Sequence, residues 1–296
     1  MKYQFIRENR FSYPVVKMSK VLQVSPSGFY SWQKRPKSNR AIVKEKLQKA
    51  IAEKFDSHGG SGGSPVITAD LREDTEWKEI SQSRVAYEMR EMRLRSKTKK
   101  RFKVTTDSSH KDPVAPNLLQ RKFSQPSPNM VWVTDITYLQ VGRSWAYLAV
   151  FIDLFSRKIV GWDLSDSLER SSVIKALDRA FWSRKPKKGL MIHSDRGVQY
   201  ASKEFRERLK NYGSIQSMSR KGNCWDNAVA ESFFSSLKMR LTKHRKYEKM
   251  EELQRGLFWY IEVYYNRFRK HSTNNWVTPE KKELNYYKPV LTDCAI

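Results

Sequence analysis

The chain has 296 residues, of which 39 % are hydrophobic, so it is long enough for two domains with sizeable cores, and its nine Trp, 14 Tyr and 14 Phe argue against disorder. Its 57 lysines and arginines exceed its 31 acidic residues, and the net charge of +26 favours a polyanionic partner. Two distant cysteines exclude a disulfide framework and a zinc site, and the absence of both a long apolar run and a signal peptide predicts a cytosolic protein without a membrane span.

Residues 1–37 are predicted to form a helix-turn-helix-like segment. Apolar residues recur at helical spacing over residues 15–24, and a Ser-Pro-Ser-Gly sequence at 25–28 then predicts a turn or a helix start. A further helix is expected from Phe29 onward. Many helix pairs without a role on DNA share this outline, so the pattern is also compatible with plain packing.

Residues 38–95 are predicted to form a second helical unit that binds DNA. Helices are expected at 41–55, 67–71 and 83–94. Between the first two, the Gly-rich stretch 58–65 is either a flexible linker or a tight loop. Arg84 and Arg90 lie on a basic stripe of the third helix and are candidate DNA contacts, although its apolar stripe is more typical of core packing.

Residues 96–129 are rich in Ser, Lys and Pro and are predicted to be a polar linker. A core domain at 130–245 and a basic helical extension at 246–296 are expected to follow. Strands are predicted at 131–138, 145–153, 158–164, 189–194 and 214–218, and helices at 168–182, 203–212, 226–241 and 251–268. This order predicts an α/β fold with a mixed five-stranded sheet, in which an antiparallel meander precedes parallel strands and helices cover both faces.

Three acidic residues of this core are the candidate catalytic and metal-binding residues. Asp135 is predicted in the middle of a strand, Asp195 at the end of a buried strand, and Glu231 on a helix. Carboxylates suit Mg²⁺, and two such ions clamp the attacking and leaving oxygens of a phosphoryl displacement. Lys238 lies two turns after Glu231 on the same helix face and is placed to reach a phosphate.

Other polar residues are candidates for supporting these acids. Asp153 ends a strand and either supports the metal site or pairs with Arg157 to hold a turn. His193 lies two residues before Asp195 and either touches a phosphate or is structural. Asp226 is expected to cap the helix of Glu231, and Asn227 to share that role or line the site.

A basic stretch follows Glu231 on the same predicted helix and beyond it. We expect it to track DNA phosphates, with a merely solvated helix end as the alternative. Its candidate contacts are Lys238, Arg240, Lys243, Arg245 and Lys246.

Several segments of the core are similar to known sequences. They are 132–138 (WVTDITY), 153–162 (DLFSRKIVGW), 193–200 (HSDRGVQY), 226–234 (DNAVAESFF) and 264–271 (YYNRFRKH). Together with the 35 residues between Asp195 and Glu231, they resemble the acidic signature of retroviral integrases and bacterial transposases. The chain resembles, over essentially its whole length, the OrfB transposase subunit of the bacterial "insertion sequence three" family.

The resemblance implies an RNase H-like catalytic core in which Asp135, Asp195 and Glu231 bind two Mg²⁺ or Mn²⁺ ions. It implies cleavage of double-stranded DNA at element ends, followed by attack of the freed 3′-OH on target DNA. It also implies a frameshift fusion with an upstream OrfA-type product, an oligomer on DNA and association with the bacterial nucleoid. A non-catalytic helix-turn-helix regulator and an RNase H-like nuclease without joining activity are the alternatives.

Overall fold

The computed structural model describes residues 1–96, 112–168, 170–220, 224–242 and 245–292. The chain separates into two units, Met1–Glu53 and Lys54–Ile296. This division lies within a helix and differs from the boundaries expected from sequence, so the five-part functional division remains a prediction. Within the described part of the chain, the helices are too short or too polar to cross a membrane.

The first unit is built from short helices. They are α1 (Lys2–Asn9), α2 (Val15–Val21), α3 (Pro26–Lys34) and most of α4 (Asn39–Ser57). The Ser25 hydroxyl accepts a hydrogen bond from the Gly28 backbone N–H at 3.3 Å and caps α3. Ile6, Met18 and Phe29, one from each of the first three helices, form a small buried core. The predicted helix, turn and helix are therefore present, with α1 in addition.

The second unit begins with a tight loop between the end of α4 and the helix α5 (Ser64–Leu71), and α6 (Gln82–Glu91) follows. His58 in this loop is buried, and its Nε2 lies 2.6 Å from Asp70 Oδ2. Gly59 and Gly60 have φ values of +58° and +71°, which a glycine adopts without strain. The tight-loop alternative is therefore correct, and the flexible linker is wrong.

A mixed sheet forms the centre of the second unit. Its strands are β1 (Val131–Val141), β2 (Ser144–Asp153), β3 (Ile159–Ser165), β4 (Met191–Ser194) and β5 (Ile215–Met218). They lie in the order β3-β2-β1-β4-β5. The pairs β1–β2 and β2–β3 are antiparallel, and β1–β4 and β4–β5 are parallel. The predicted meander followed by parallel strands is confirmed.

Helices cover both faces of this sheet. They are α7 (Arg170–Arg184), α8 (Val198–Ala201), α9 (Lys203–Asn211), α10 (Ala228–Leu237) and α11 (Met250–Phe258). The last helix, α12 (Pro279–Thr292), packs against the segment that follows α11. Alternation along β1 sends Val133 into the core that contains α10 and α11, and sends Trp132 into the core that contains α7 and α9. Two helices end in π-helical turns where the sequence predicts unbroken α-helix: Lys238–Thr242 follows α10, and Trp259–Phe268 follows α11.

The described part of the predicted linker lies against the core. Leu119 is 2 % exposed, and the backbone N–H groups of Leu118 and Leu119 donate to Ser217 Oγ at 2.9 and 3.3 Å. Residues 112–129 are therefore not a free linker, because an apolar side chain and backbone donors attach them to β5. Residues 97–111 lie outside the described residues.

Gly161 on β3 allows α7 to approach the sheet closely. A Cβ at this position would lie 2.7 Å from Ala180 Cβ and 2.9 Å from Ala180 N, which is backbone that cannot move aside cheaply. We predict that Gly161→Ala lowers the free energy of unfolding by about 1–3 kcal/mol, the usual effect of overpacking. Urea denaturation monitored by circular dichroism measures it. Gly63→Ala, whose Cβ would meet Pro65 at an ordinary 3.5 Å, is the control, and equal stability of the two variants would contradict the packing argument.

Candidate active site

Parallel pairing of β1 with β4 brings two of the acids side by side. Val131 pairs with Met191 and Val133 with His193, so each β1 residue faces the residue 60 positions later. The same register, continued for two residues, aligns Asp135 with Asp195, which directly follows β4. Adjacent strands are about 4.8 Å apart, so the two carboxylates lie on neighbouring backbones.

The helix α10 supplies the third acid to the same face. Asp135 is two residues from Val133 and therefore shares its face, which packs against α10 residues such as Phe233. Glu231 lies in the first turn of α10, and Lys238 begins the π-helical turn after it. The charges of Asp195, Glu231 and Lys238 all act on the Asp135 carboxyl. The structure thus brings together the three acids and the lysine that the sequence singled out.

Electrostatics at this site disfavours three uncompensated negative charges. Burial, followed by the negative charges of Asp195 and Glu231, raises the pKa of Asp135 well above its ordinary value. A hydrogen bond from the Ile136 backbone N–H to Asp135 Oδ1, at 2.8 Å, and the Lys238 charge oppose this shift. A bound cation would relieve the repulsion, so the carboxylate donor set fits divalent metal ions.

Local backbone bonds orient the carboxylate of Asp195. The backbone N–H of Gly197 donates to Asp195 Oδ1 at 2.9 Å. A Cβ on Gly197 would lie 3.1 Å from that oxygen, so the glycine keeps the approach unhindered. Among the described residues, no three His, Cys, Asp or Glu side chains surround a single point closely enough to hold one ion. A site built from these acids would therefore need ions that each take fewer than three of them.

Tyr200 lies beside the two aspartates on the inner side. It is 1 % exposed, and its hydroxyl lies 3.2 Å from Thr134 Oγ1. Burial, together with the charges of Asp135 and Asp195, raises the pKa of Tyr200 well above its ordinary value, so it stays neutral. Its burial makes Tyr200 a packing residue of the core.

Asp226 is the residue near the site that the sequence interpretation misjudged. It is not the cap of α10, because Asn227 occupies the N-cap position and makes no side-chain cap bond. The Asp226 carboxylate instead accepts hydrogen bonds from Arg220, Arg121 and Asn117 at 2.8–3.1 Å. It therefore ties the start of the Glu231 helix to the segment after β5 and to the segment before β1. Because two of these donors, Arg121 and Asn117, lie 105 and 109 residues away in sequence, no local pattern could reveal the arrangement.

Two of the supporting candidates lie close to this anchor. Asn227 is buried, and its Oδ1 has no hydrogen-bond partner among the described residues. His193 is also buried, and its Nδ1 lies 2.9 Å from Ser217 Oγ. Burial lowers the pKa of His193 to about 4, against the opposing effect of the Asp226 backbone and charge. A neutral His193 that fixes β5 matches the structural alternative.

Asp153 lies away from the three acids, on the other face of the sheet. It pairs with Trp132, three residues before Asp135 and on the other face of the sheet, and it accepts a hydrogen bond from Trp132 Nε1 at 3.3 Å. Its carboxylate also accepts from the backbone N–H groups of Asn129 and Phe155. The alternative in which Asp153 supports the metal site is therefore wrong. It does hold the turn after β2, through backbone donors rather than through an ion pair with Arg157.

The candidate DNA contacts divide into partly buried and exposed cations. Arg240 packs its guanidinium over the Tyr264 ring at 3.7 Å and donates to the Ser57 carbonyl at 2.9 Å, and burial lowers its pKa. Its position is that of a packing residue. Arg245 and Lys246 are exposed, while Lys243 lies outside the described residues.

On α6, Arg84 forms an ion pair of 2.7 Å with the buried Glu88, so this carboxylate partly neutralises the charge of Arg84. Arg90 is exposed on the same helix. The sequence did not separate these cases, because an arginine that packs and one that projects into solvent look alike in a basic stripe.

Three models of known protein families match segments of the chain between residues 43 and 279. Two models of an integrase core domain match residues 125–224 and 212–279, and a model of an HTH-like domain matches residues 43–102. The integrase core matches include Asp135, Asp195 and Glu231. The mixed sheet is therefore that of an integrase core domain, preceded by a helical region with an HTH-like domain.

Curated relatives match along nearly their whole length. The transposase InsF for insertion sequence IS3A of Escherichia coli is 36 % identical over 285 residues, covering 96 % of this chain and 98 % of the relative. An uncharacterized 31 kDa protein of insertion element IS600 of Shigella sonnei is 36 % identical over 271 residues, covering 92 % and 99 %.

Two retroviral structures are among the solved structures that this chain matches. A chain of the simian T-cell lymphotropic virus intasome in complex with PP2A regulatory subunit B56 gamma has a TM-score of 0.47 at 17 % identity, covering 79 % of this chain and 74 % of its own. The HTLV-2 integrase catalytic core domain in complex with magnesium has a TM-score of 0.42 at 18 % identity, covering 53 % and 98 %.

The ion pairs of Asp226 make stability near the site dependent on pH. Hydrogen bonds from Arg220 hold the pKa of Asp226 below its ordinary value, so its stabilisation is complete above the ordinary carboxyl pKa and is lost as the pH falls below about 4. We predict that Asp226→Asn unfolds more easily than wild type by about 1.5–3 kcal/mol at pH 7, and that the difference shrinks on acidification.

Chemical denaturation of both proteins between pH 7 and pH 3 measures this difference. Asp56→Asn, at an exposed position, is the control and should leave stability nearly unchanged. A wild-type advantage that stays constant over the whole pH range would rule out the ionic anchor.

Proposed function

Because the chain belongs to the family of IS3 insertion-sequence transposases, we propose that it is the catalytic subunit that cuts DNA at element ends and joins the freed 3′-OH to target DNA. The observation that carries the proposal is the meeting of three carboxylates, from β1, from the end of β4 and from α10, in a chain of net charge +26. Near full-length similarity to InsF supports the biological setting.

Asp135, Asp195 and Glu231 are the proposed ligands of two Mg²⁺ or Mn²⁺ ions. When bound, such ions polarise the scissile phosphate and stabilise charge on the attacking and leaving oxygens. Mg²⁺ takes one or two carboxylates and fills its other positions with water and phosphate oxygens. Three acids can therefore serve two ions without all three meeting at one point. The raised pKa of Asp135 supports this role, since its carboxylate needs positive charge nearby.

Lys238 is proposed to bind the phosphate next to the scissile bond. Its charge reaches Asp135 from the end of α10, so a phosphate that approaches the acids also approaches this ammonium group. Exposed cations, including Arg245, Lys246 and Arg90, are proposed to hold the DNA backbone further out. An upstream OrfA-type product, or a fusion with it, is the proposed partner for recognition of element ends and for oligomerisation on DNA.

The first experiment compares wild type with Glu231→Gln on labelled duplexes that carry element ends, in Mg²⁺ or Mn²⁺ and in EDTA. We predict metal-dependent cleaved and joined products that fall on the order of 1000-fold in the variant, because lost ligation removes several kcal/mol of transition-state stabilisation. Glu207→Gln, at an exposed position on α9, should retain wild-type activity.

Cleaved products without joined ones would identify a nuclease instead. If the Glu231→Gln chain cleaved as fast as wild type, the proposed site would be wrong. Intact DNA binding without any products, even in a fusion with the upstream product, would favour a regulator.

The expected division of the enzyme between this chain and an upstream product leads to a second prediction, on DNA specificity. The isolated chain should act on true element ends and on scrambled duplexes of equal length at similar rates, because the DNA contacts proposed for it are to phosphates, which carry no sequence information. Competition between the two substrates in one reaction measures the ratio. A strong preference for true ends by the isolated chain would contradict the need for a partner.

A further inference from the structure

A cavity of about 550 Å³ opens next to the π-helical turn that follows α10. Its walls come from that turn, from the segment before α11, from α11 and the π-helical stretch after it, and from Gly59 in the loop between α4 and α5. The side chains that matter are those of Arg240, Arg245, Tyr247, Glu252, Arg255 and Trp259. Gly256 also lines the cavity, and a Cβ at this position would lie only 2.8 Å from the Tyr247 hydroxyl.

The charge of this cavity suits an anion. Three arginines and one glutamate line it. Arg245 and Arg255 are exposed, and neither they nor Glu252 form an ion pair with another residue that the structure describes. The charges of Arg245 and Arg255 are therefore open to a phosphate, since no described carboxylate lies within ion-pair distance of either guanidinium.

The cavity also presents a rigid aromatic surface. Trp259 is 46 % exposed, although it lies stacked on Tyr264 with ring centroids 5.8 Å apart and planes within 13°. The guanidinium of Arg240 lies 5.4 Å from the Trp259 ring and 3.7 Å from the Tyr264 ring, which fixes the indole from within. Nearly half of a large, immobilised aromatic side chain thus remains available for stacking.

We propose that this cavity binds one unpaired nucleotide of a DNA strand. The base stacks on Trp259, as bases stack on aromatic side chains in proteins that bind single strands. Arg245 and Arg255 hold the adjoining phosphate, and Glu252 accepts a hydrogen bond from an exocyclic amino group such as that of cytosine. A plain phosphate-tracking surface would need the arginines but not the exposed indole or the carboxylate.

The position of the cavity connects it to the proposed active site, and the inference rests on that proposal. Leu241 in its wall is ten residues after Glu231, which at about 1.5 Å per residue is roughly 15 Å along the helix. This distance equals four to five nucleotide steps at about 3.4 Å each. A nucleotide of the strand whose phosphodiester lies at the three acids would thus be within reach of the cavity, and its capture there would fray the duplex.

The test is binding of a fluorescently labelled deoxycytidine tetranucleotide, followed by anisotropy in EDTA and low salt. The protein is the full chain carrying Glu231→Gln, so neither metal nor catalysis enters the measurement. We expect Trp259→Leu to weaken binding about 5- to 100-fold, the range found for one lost base stack. Trp182→Leu, at a 76 % exposed tryptophan outside the cavity, is the matched control and should bind like its parent.

An abasic tetranucleotide of equal charge separates base from phosphate recognition. It should bind Trp259→Leu and the parent equally, while Arg255→Gln should weaken both probes. Equal affinities of the Trp259→Leu and Trp182→Leu chains for the deoxycytidine probe would overturn the proposal. So would competition by polyglutamate as strong as competition by unlabelled tetranucleotide, which would assign the cavity to an acidic protein segment. Because these outcomes require no cleavage, they are independent of whether the phosphoryl-transfer assay succeeds.

Discussion

The parallel pairing of β1 with β4 is the constraint on which the acidic site depends. A single register sets Asp135 beside Asp195, and alternation along β1 sends Asp135 toward the face that α10 covers. A slip of one residue would turn Asp135 into the opposite core, among Trp132 and Phe181. The long antiparallel ladder between β1 and β2 opposes such a slip, because ten residue pairs would have to change partners together.

Most of the sheet could be predicted from local patterns in the sequence, whereas the grouping of the three acids was expected from the resemblance to integrases and transposases. The strands have apolar residues with β-type spacing, and the turn signals between them are local. The helix of Glu231 was likewise visible from its apolar face, which includes Phe233, Phe234 and Leu237. Features of this kind need only the neighbouring residues, so a single sequence reveals them.

Features that depend on distant partners were missed. Asp226 resembled a helix cap because its partners Arg121 and Asn117 lie 105 and 109 residues away in sequence. Residues 112–129 resembled a linker because their composition is polar, whereas Leu119 and backbone donors attach them to the core. Arg240 and Arg84 were assigned to DNA by charge, yet one is stacked on Tyr264 and the other is paired with a buried glutamate. Net charge therefore overstates the number of cations that can face a polyanion.

The π-helical turn after α10 has a consequence for how this part of the chain can diverge. A π turn holds about one residue more than an α turn, so it changes the rotational phase of everything that follows it. Glu231 lies upstream of that change, and Arg240 lies within it. Gain or loss of one codon in this stretch would therefore rotate the wall of the arginine-lined cavity while leaving the acidic residue facing β1. Changes of length in this turn would therefore allow the arginine-lined cavity to diverge while the position of Glu231 among the three acids is kept.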